Sequence, residues 1–247
     1  FDKSPREHHP SLSDDISYDD STAAKTYSAS AHFRGDSILS FQPLNNSLDF
    51  SNDFTIQCSV LVDSFSTNGT LLLSGTHDTG LTGAPITIEA GIEVDTNTPT
   101  TGRLYLTYTD VNNDEIKCTT SETCITLNSW THISFSYDQS HVFIHVDGVL
   151  QDKFVVTNKI LSNDYGLTIG NTFNYTKPHK DYGLVGNMND CRVIVGQCIT
   201  VCDTMVDHPF CQGTTDGDPE TVIIRTSPTP TPTVTPTVTP TPTPTGI

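Results

Sequence analysis

Short runs of alternating apolar and polar residues recur along the chain between about residues 32 and 200. Alternation of this kind places one side chain toward a core and the next toward solvent, as in a half-buried β-strand. Gly, Asn and Asp separate the runs, and no stretch has the 3.6-residue spacing of an amphipathic helix. The pattern predicts an all-β, antiparallel sandwich whose strands include residues 37–41, 54–62, 85–94, 102–108, 131–137, 141–146, 166–170 and 191–195.

Two of these runs, THISFSY at 131–137 and HVFIHV at 141–146, predict which side chains face the core. Because successive strand residues point to opposite faces, the second run places His141 and His145 away from the core. Asp147-Gly148 follows it and predicts a two-residue type I′ turn, in which both residues have positive φ. The core-facing residues are predicted to be Ile133, Phe135, Tyr137, Val142, Ile144 and Val146.

Composition changes at both ends, which divides the chain into four segments. Residues 1–29 are acidic and polar and form an arm that should not fold alone. Residues 30–200 form the sandwich, and residues 201–225 form a Cys-bearing connector. Residues 226–247 form a Thr/Pro-rich stalk, in which Pro prevents helix and favours polyproline II.

The stalk is predicted to be O-glycosylated, because its threonines stand beside prolines as in mucin-like stalks. About twenty residues of polyproline II would extend roughly 60 Å. The predicted O-glycosylation sites are Thr226, Thr229, Thr231, Thr233, Thr235, Thr237, Thr239, Thr241, Thr243 and Thr245.

Charge limits the classes of partner. The chain has 29 acidic and 12 basic residues, for a formal charge of −17. Such a surface repels nucleic-acid backbones and anionic lipids, so we expect neither as a partner. No apolar run reaches the length of a membrane span, so we expect no membrane insertion.

Cysteines and glycosylation motifs both indicate an extracellular or cell-surface location. The density of cysteines near the end of the sandwich suits an oxidising compartment. Cys118 and Cys124 are a disulfide candidate as a short loop on one hairpin, and the other candidates are Cys58, Cys191, Cys198, Cys202 and Cys211. Three N-glycosylation sequons begin at Asn45, Asn68 and Asn174. The chain begins at Phe1, as expected for a processed product or a fragment.

Several stretches occur in an order that resembles a known family. They are SLDFSNDFTIQCSV, SWTHISFSYDQSHVFIHVDGVL, GLTIGN and LVGNMNDCRVIV, within about residues 30–200. This order is similar to that of the laminin-G-like, concanavalin A-like lectin/glucanase jelly-roll domains. The matching positions are Phe54, Trp130, His132, Tyr137, Asp138, Asp147, Gly148, Ile169, Gly170, Gly186, Asp190 and Arg192.

The resemblance implies a jelly-roll fold and four roles: lectin, adhesion module, structural spacer or, in some branches, glycosidase. It also implies that the strands carrying Cys58 and Cys191 are neighbours, so these two cysteines are a second disulfide candidate. Domains of this kind often bind calcium at a loop rim. Asp110, Asn112 and Asp114 supply oxygen atoms in one loop and are weak calcium candidates.

Catalysis is not expected. The glucanase branch carries its carboxylates as E-x-D-x-E, and the nearest match in the chain, EVDTN at 93–97, ends in Asn97, which is not an acid. No G-x-S-x-G sequence supports a serine hydrolase. His141 and His145 could meet a metal only with a third ligand, and Arg34-Gly35-Asp36 is interpreted as a turn.

We therefore expect no required cofactor, with calcium as the only candidate. The primary hypothesis is a structural subunit of an extracellular filament or cell-surface coat. Its arm or tail would bridge neighbouring subunits, through strand addition or head-to-tail contacts. The alternative is a carbohydrate-binding or adhesion module, with Tyr105, Tyr108, Tyr175 and Tyr182 as stacking candidates.

Overall fold

A computed structural model describes residues 12–14, 16–19, 30–41, 49–66, 69–76, 86–162, 166–174, 177–178, 182–200 and 220–224. These residues form strands and no helix. In chain order the strands are β1 (Leu12–Asp14), β2 (Ser17–Asp19), β3 (Ser30–Arg34), β4 (Ile38–Phe41), β5 (Phe54–Ser64), β6 (Thr70–Thr76), β7 (Ile86–Val94), β8 (Thr101–Thr109), β9 (Glu115–Thr119), β10 (Ile125–Thr126), β11 (Thr131–Tyr137), β12 (His141–Val146), β13 (Val149–Val155), β14 (Gly166–Ile169), β15 (Phe173–Asn174), β16 (Lys177–Pro178), β17 (Val185–Val195) and β18 (Glu220–Ile224).

Two antiparallel sheets of eight strands each enclose one core, which confirms the predicted all-β sandwich. The first, the β5 sheet, has the order β13-β12-β11-β5-β17-β3-β2, and β18 pairs with β17. The second, the β7 sheet, has the order β1-β4-β14-β6-β7-β8-β10, and β9 pairs with β8. β15 and β16 form a separate hairpin.

The alternating runs point their apolar residues into this core as predicted. Ile133, Phe135 and Tyr137 of β11 are at most 1% exposed. The Asp147-Gly148 turn between β12 and β13 has φ values of 46° and 77°, which confirms the type I′ turn. Asp147 also accepts a hydrogen bond from the His132 backbone N–H (2.9 Å), so its side chain fixes the turn to β11.

Strands also form in the two segments that flank the predicted sandwich. In the arm, β1 pairs with β4 at one edge of the β7 sheet, and β2 pairs with β3 at one edge of the β5 sheet. In the connector, β18 pairs with the second half of β17. Arm and connector thus contribute strands to the sandwich of their own chain. The alternation did not reveal them because they are short: β1 and β2 have three residues each, and β18 has five.

Candidate functional site

The outer face of the β5 sheet is crossed by residues 196–200, which follow β17. Thr55 of β5 accepts a hydrogen bond from the Ile199 backbone N–H (2.8 Å) and donates one to the Gln197 carbonyl (3.0 Å). Ser136 of β11 donates to the Ile199 carbonyl (2.6 Å). Two side-chain hydroxyl groups therefore hold this segment across neighbouring strands.

Polar side chains beside this crossing are buried as well. Gln57, Ser134 and His145 lie opposite one another on β5, β11 and β12, and none is more than 3% exposed. Burial lowers the pKa of His145, and a hydrogen bond with the Thr200 backbone opposes that shift. This part of the face is closed to solvent.

The outer face of the β7 sheet carries a group of polar side chains on β7, β8 and β9, of which Glu93 and Lys117 are exposed. We call Glu89, Glu93, Tyr105 and Lys117 the Tyr105 face. The Lys117 Nζ atom lies 4.6 Å from the centroid of the Tyr105 ring and 3.2 Å from Glu93 Oε2. An ammonium group, an aromatic ring and a carboxylate therefore meet at one point.

Gly91 determines where the Tyr105 ring lies. Gly91 and Tyr105 are directly opposite on β7 and β8, and a Cβ atom at Gly91 would be 2.6 Å from the Tyr105 hydroxyl oxygen. Because a larger residue would clash, glycine lets the ring lie across β7, and Tyr105 is only 8% exposed. The hydroxyl group is thereby held above β7, between Glu89 and Glu93.

Glu89 is the carboxyl group of this face with an unusual acidity. Burial raises the pKa of Glu89 to about 7, the Glu115 carboxylate raises it further and the Lys117 ammonium lowers it. Burial and the neighbouring Glu89 carboxylate likewise raise the pKa of the Tyr105 hydroxyl. The protonated form of Glu89 therefore persists to higher pH than in an ordinary glutamate, and a protonated carboxyl group can donate as well as accept hydrogen bonds.

The four tyrosines predicted to stack on a ligand differ in position. Tyr105 lies on the face just described, although Lys117 lies over its ring. Tyr182 is partly buried, and its charge raises the pKa of Tyr105, so the two are neighbours. The prediction is wrong for Tyr108, which is 1% exposed and packs in the core. Tyr175 lies outside the described residues.

The carboxylate of Asp110, the first calcium candidate, is engaged by groups of the protein. Its two oxygens accept hydrogen bonds from the backbone N–H groups of Asn112 (2.8 Å) and Asp114 (2.9 Å) and from the side-chain amides of Asn112 (3.3 Å) and Asn158 (2.7 Å). These bonds, led by that from Asp114, lower the pKa of Asp110. They account for the loop without a cation, and calcium binding stays a prediction.

Five of the seven cysteines lie in the described residues, and all five are thiols in the structure. Cys58 and Cys191 are hydrogen-bonded neighbours, and that contact together with burial raises the pKa of Cys58. Cys118 lies opposite Leu106, whereas the Cys124 backbone N–H bonds to the Gly102 carbonyl, four residues earlier on β8. Four residues span about 13 Å of strand, so this register disfavours a Cys118–Cys124 bridge.

The remaining cysteines are Cys198, which is partly buried, and Cys202 and Cys211, which lie outside the described residues. Burial, together with Asp138 and Asp53, raises the pKa of Cys198 to about 12. That these three cysteines form disulfides therefore stays a prediction.

Most of the predicted glycosylation sites lie outside the described residues: Asn45, Asn68 and the stalk threonines from Thr226 to Thr245. Asn174 ends β15, and its partner across the hairpin is Lys177 of β16. The other two residues of this sequon, Tyr175 and Thr176, lie outside the described residues.

Sequence reasoning did not identify Glu89. Glu89 and Glu93 are four residues apart on β7, and Tyr105 is centred between them on β8. The segment EAGIE thus has the outer glutamates of the glucanase pattern, but Gly91 takes the place of its central Asp. The feature of the sequence that could have identified Glu89 is the pair of glutamates on either side of Gly91 in a strand that is otherwise mostly apolar. The segment EVDTN at 93–97, which the sequence suggested as the nearest match to the glucanase pattern, is a strand only as far as Val94. Beyond it the chain turns, and the Asp95 side chain accepts a hydrogen bond from the Asn97 backbone N–H (2.9 Å).

Two other motifs have structural roles. Gly35, with φ of 88°, lies in the turn between β3 and β4, as expected for Arg34-Gly35-Asp36. His141 Nδ1 lies 3.5 Å from the Asp138 carboxylate. Within the described residues no three His, Cys, Asp or Glu side chains are placed to hold a metal ion. The same part of the chain contains no helix long and apolar enough to cross a bilayer.

Comparison with known proteins identifies the fold. Residues 33–196 match the Laminin G 3 family profile, described as the concanavalin A-like lectin/glucanases superfamily. No curated protein matches the sequence significantly.

Solved structures share the fold at low sequence identity. The binding domain of Paraclostridial Mosquitocidal Protein 1 is 14% identical, with a TM-score of 0.53 over 74% of this chain and 44% of that chain. The botulinum neurotoxin serotype G binding domain is 13% identical, with a TM-score of 0.53 over 75% of this chain and 42% of that chain. The chain thus spans less than half the length of each of these two structures.

Proposed function

This chain belongs to the Laminin G 3 family of the concanavalin A-like lectin/glucanases superfamily, and from that premise we propose that it is a carbohydrate-binding module that uses the Tyr105 face. The observation that carries the proposal is the meeting of Tyr105, Glu93 and Lys117 beside Glu89, whose pKa is raised by burial. Sugars are recognised by a few polar groups that converge beside an apolar ring surface. The Tyr105 face supplies both.

A binding role agrees with the structures of similar fold, two of which are binding domains of toxins. We propose that the chain is not an enzyme, that it acts at the cell surface or outside the cell, and that glycans on its sequons and stalk hold it away from a larger structure. The filament hypothesis has less support, because β1 and β2 pair within their own chain.

The test compares two aromatic side chains that stand under a lysine, one on each sheet. Tyr105 stands under Lys117, and Phe143 of β12 stands under Lys153, 5.1 Å from its centroid. On a glycan array followed by calorimetry, Tyr105→Ala should weaken binding of the best glycan by about tenfold or more. Phe143→Ala should leave it unchanged.

Tyr105→Phe keeps the ring and removes the hydroxyl group, so it separates loss of binding from loss of folding. It should fold normally and weaken binding by a smaller factor. Equal effects of Tyr105→Ala and Phe143→Ala would place the site elsewhere, and a protein that binds no glycan on the array would refute the proposed function.

A further inference from the structure

The Tyr105 face contains one amine of the protein itself, the side-chain ammonium of Lys117. The ammonium lies over the Tyr105 ring at 4.6 Å and beside Glu93 at 3.2 Å, which is the environment that proteins offer to cationic ligands. Lys117 is exposed at 43% of its side chain and Glu93 at 51%, so the lysine can leave the ring at little cost.

The carboxylates of this face outnumber its cations. Glu89, Glu93 and Glu115 stand beside Lys117, and Arg103 lies opposite Glu93. Among the described residues, burial and the Glu115 carboxylate raise the pKa of Glu89 to about 7, although the Lys117 ammonium lowers it. The charge of the chain, −17, also attracts cations to the surface.

The packing of Tyr105 points to the same place. Its ring lies across β7 at Gly91, where a Cβ atom would meet the hydroxyl group, and the side chain is 8% exposed with the Lys117 ammonium over the ring. When Lys117 moves away, the ring and the Glu93 carboxylate become the surface that an arriving ammonium group meets.

We propose that the Tyr105 face recognises sugars that carry a free, protonated amine, the amine replacing Lys117 over the Tyr105 ring and pairing with Glu89 and Glu93. This proposal rests on the proposed function and names the class of its ligand. The arriving cation favours the ionised form of Glu89, so the proton of the carboxyl group passes to the buffer as the ion pair forms. Glu93, Glu115, Lys117, Arg103, Tyr105 and Tyr182 are the charged and titratable described groups around Glu89.

The test uses two oligosaccharides that differ only in the amine: tetramers of glucosamine and of N-acetylglucosamine. Calorimetry at about pH 5.5, roughly two units below the α-amino pKa range, keeps the sugar amines protonated before binding, so that any proton released comes from the protein. Under these conditions the glucosamine tetramer should bind roughly tenfold tighter. In buffers of different ionisation enthalpy, wild type should release a fraction of a proton on binding, and Glu89→Gln should release none. Glu89→Gln should bind the two tetramers with equal affinity, and acetylating the amines of the glucosamine tetramer should remove its tighter binding to wild type.

Lys117→Met provides the opposite change. With the resident amine removed, the glucosamine tetramer should bind several-fold tighter, whereas a merely structural lysine would give weaker or unchanged binding. The matched control is Lys153→Met, which removes the equivalent lysine over Phe143 and should change neither affinity.

The outcomes separate this inference from the proposed function. Equal affinity for the two tetramers, or a preference for the acetylated one, overturns the amine inference while carbohydrate binding stands. Binding of other array glycans but neither tetramer overturns it as well. Failure to bind any glycan refutes both.

Discussion

At the scale of single residues, the site depends on where a carboxyl group is desolvated. Glu89 and Glu93 share β7 and the same outer face, yet Glu93 is exposed and paired with Lys117, whereas Glu89 is partly buried. Desolvation disfavours the charged form of an acid, which is why the pKa of Glu89 rises to about 7. The raised pKa of Glu89 therefore comes from its surroundings and not from its chemistry.

The first prediction concerns stability against pH. Glu89 titrates near pH 4.5 in the unfolded chain and near 7 in the folded one, so the folded state binds more protons between these values. Its stabilising effect is present below about pH 4.5 and is lost as pH rises through 7. Glu89→Gln has no such loss, so its free energy of unfolding relative to wild type should increase by about 1–2 kcal/mol from pH 5 to pH 8.

Urea unfolding at both pH values measures this difference, in which contributions from the histidines cancel. The control is Glu122→Gln in the exposed loop before β10, which should keep the same offset from wild type throughout. An offset of Glu89→Gln that is likewise constant would show that Glu89 is already ionised at pH 5.

At the scale of elements, the alternating pattern predicted the strands that have one face in the core. β11 and β12 have clear period-two patterns and were predicted with their core-facing residues and their turn. β6, with the run Leu71, Leu72 and Leu73, has no alternation and was missed. β9 was also missed, although its short sequence EIKCT does alternate. The sequence named Tyr105 but not Glu89, because desolvation is set by neighbours on other strands that the sequence does not reveal.

β17 joins three other strands of the β5 sheet. It pairs with β5 along its length, with β3 along its first half and with β18 along its second. Its register with β5 shifts between Asn189 and Arg192, a bulge in which Asp190 has a φ of 51°. The bulge places the Cys191 thiol against that of Cys58.

The second prediction is that these two thiols form a disulfide under oxidising conditions. Refolding with a glutathione redox buffer should give a Cys58–Cys191 bridge, found by peptide mapping. Because the bridge closes a loop of more than a hundred residues, it should stabilise the fold by roughly 4 kcal/mol, seen as a higher urea midpoint than in Cys58→Ser. Cys118→Ser should keep the bridge, and a map that pairs Cys58 with any other cysteine would contradict the prediction.

At the scale of the whole molecule, the arm protects the sandwich. β1 and β2 cover the outer strands of the two sheets, β4 and β3, on the same side of the sandwich. Unpaired edge strands are templates for association with other chains. The arm therefore occupies, within its own chain, one edge of each sheet that strand addition between subunits could otherwise use.

The last prediction follows from this pairing, and it separates the two hypotheses by the sign of one effect. If the arm pairs within its own chain, the protein from Phe1 to Ile247 should be monomeric in light scattering, and removing residues 1–19 should expose β3 and β4 and cause association that grows with concentration. If the arm instead bridged subunits, the whole chain would associate and the truncated chain would be monomeric. The control is the truncated chain with lysine at Ser40, where a charge on the uncovered β4 edge should suppress association without restoring the arm.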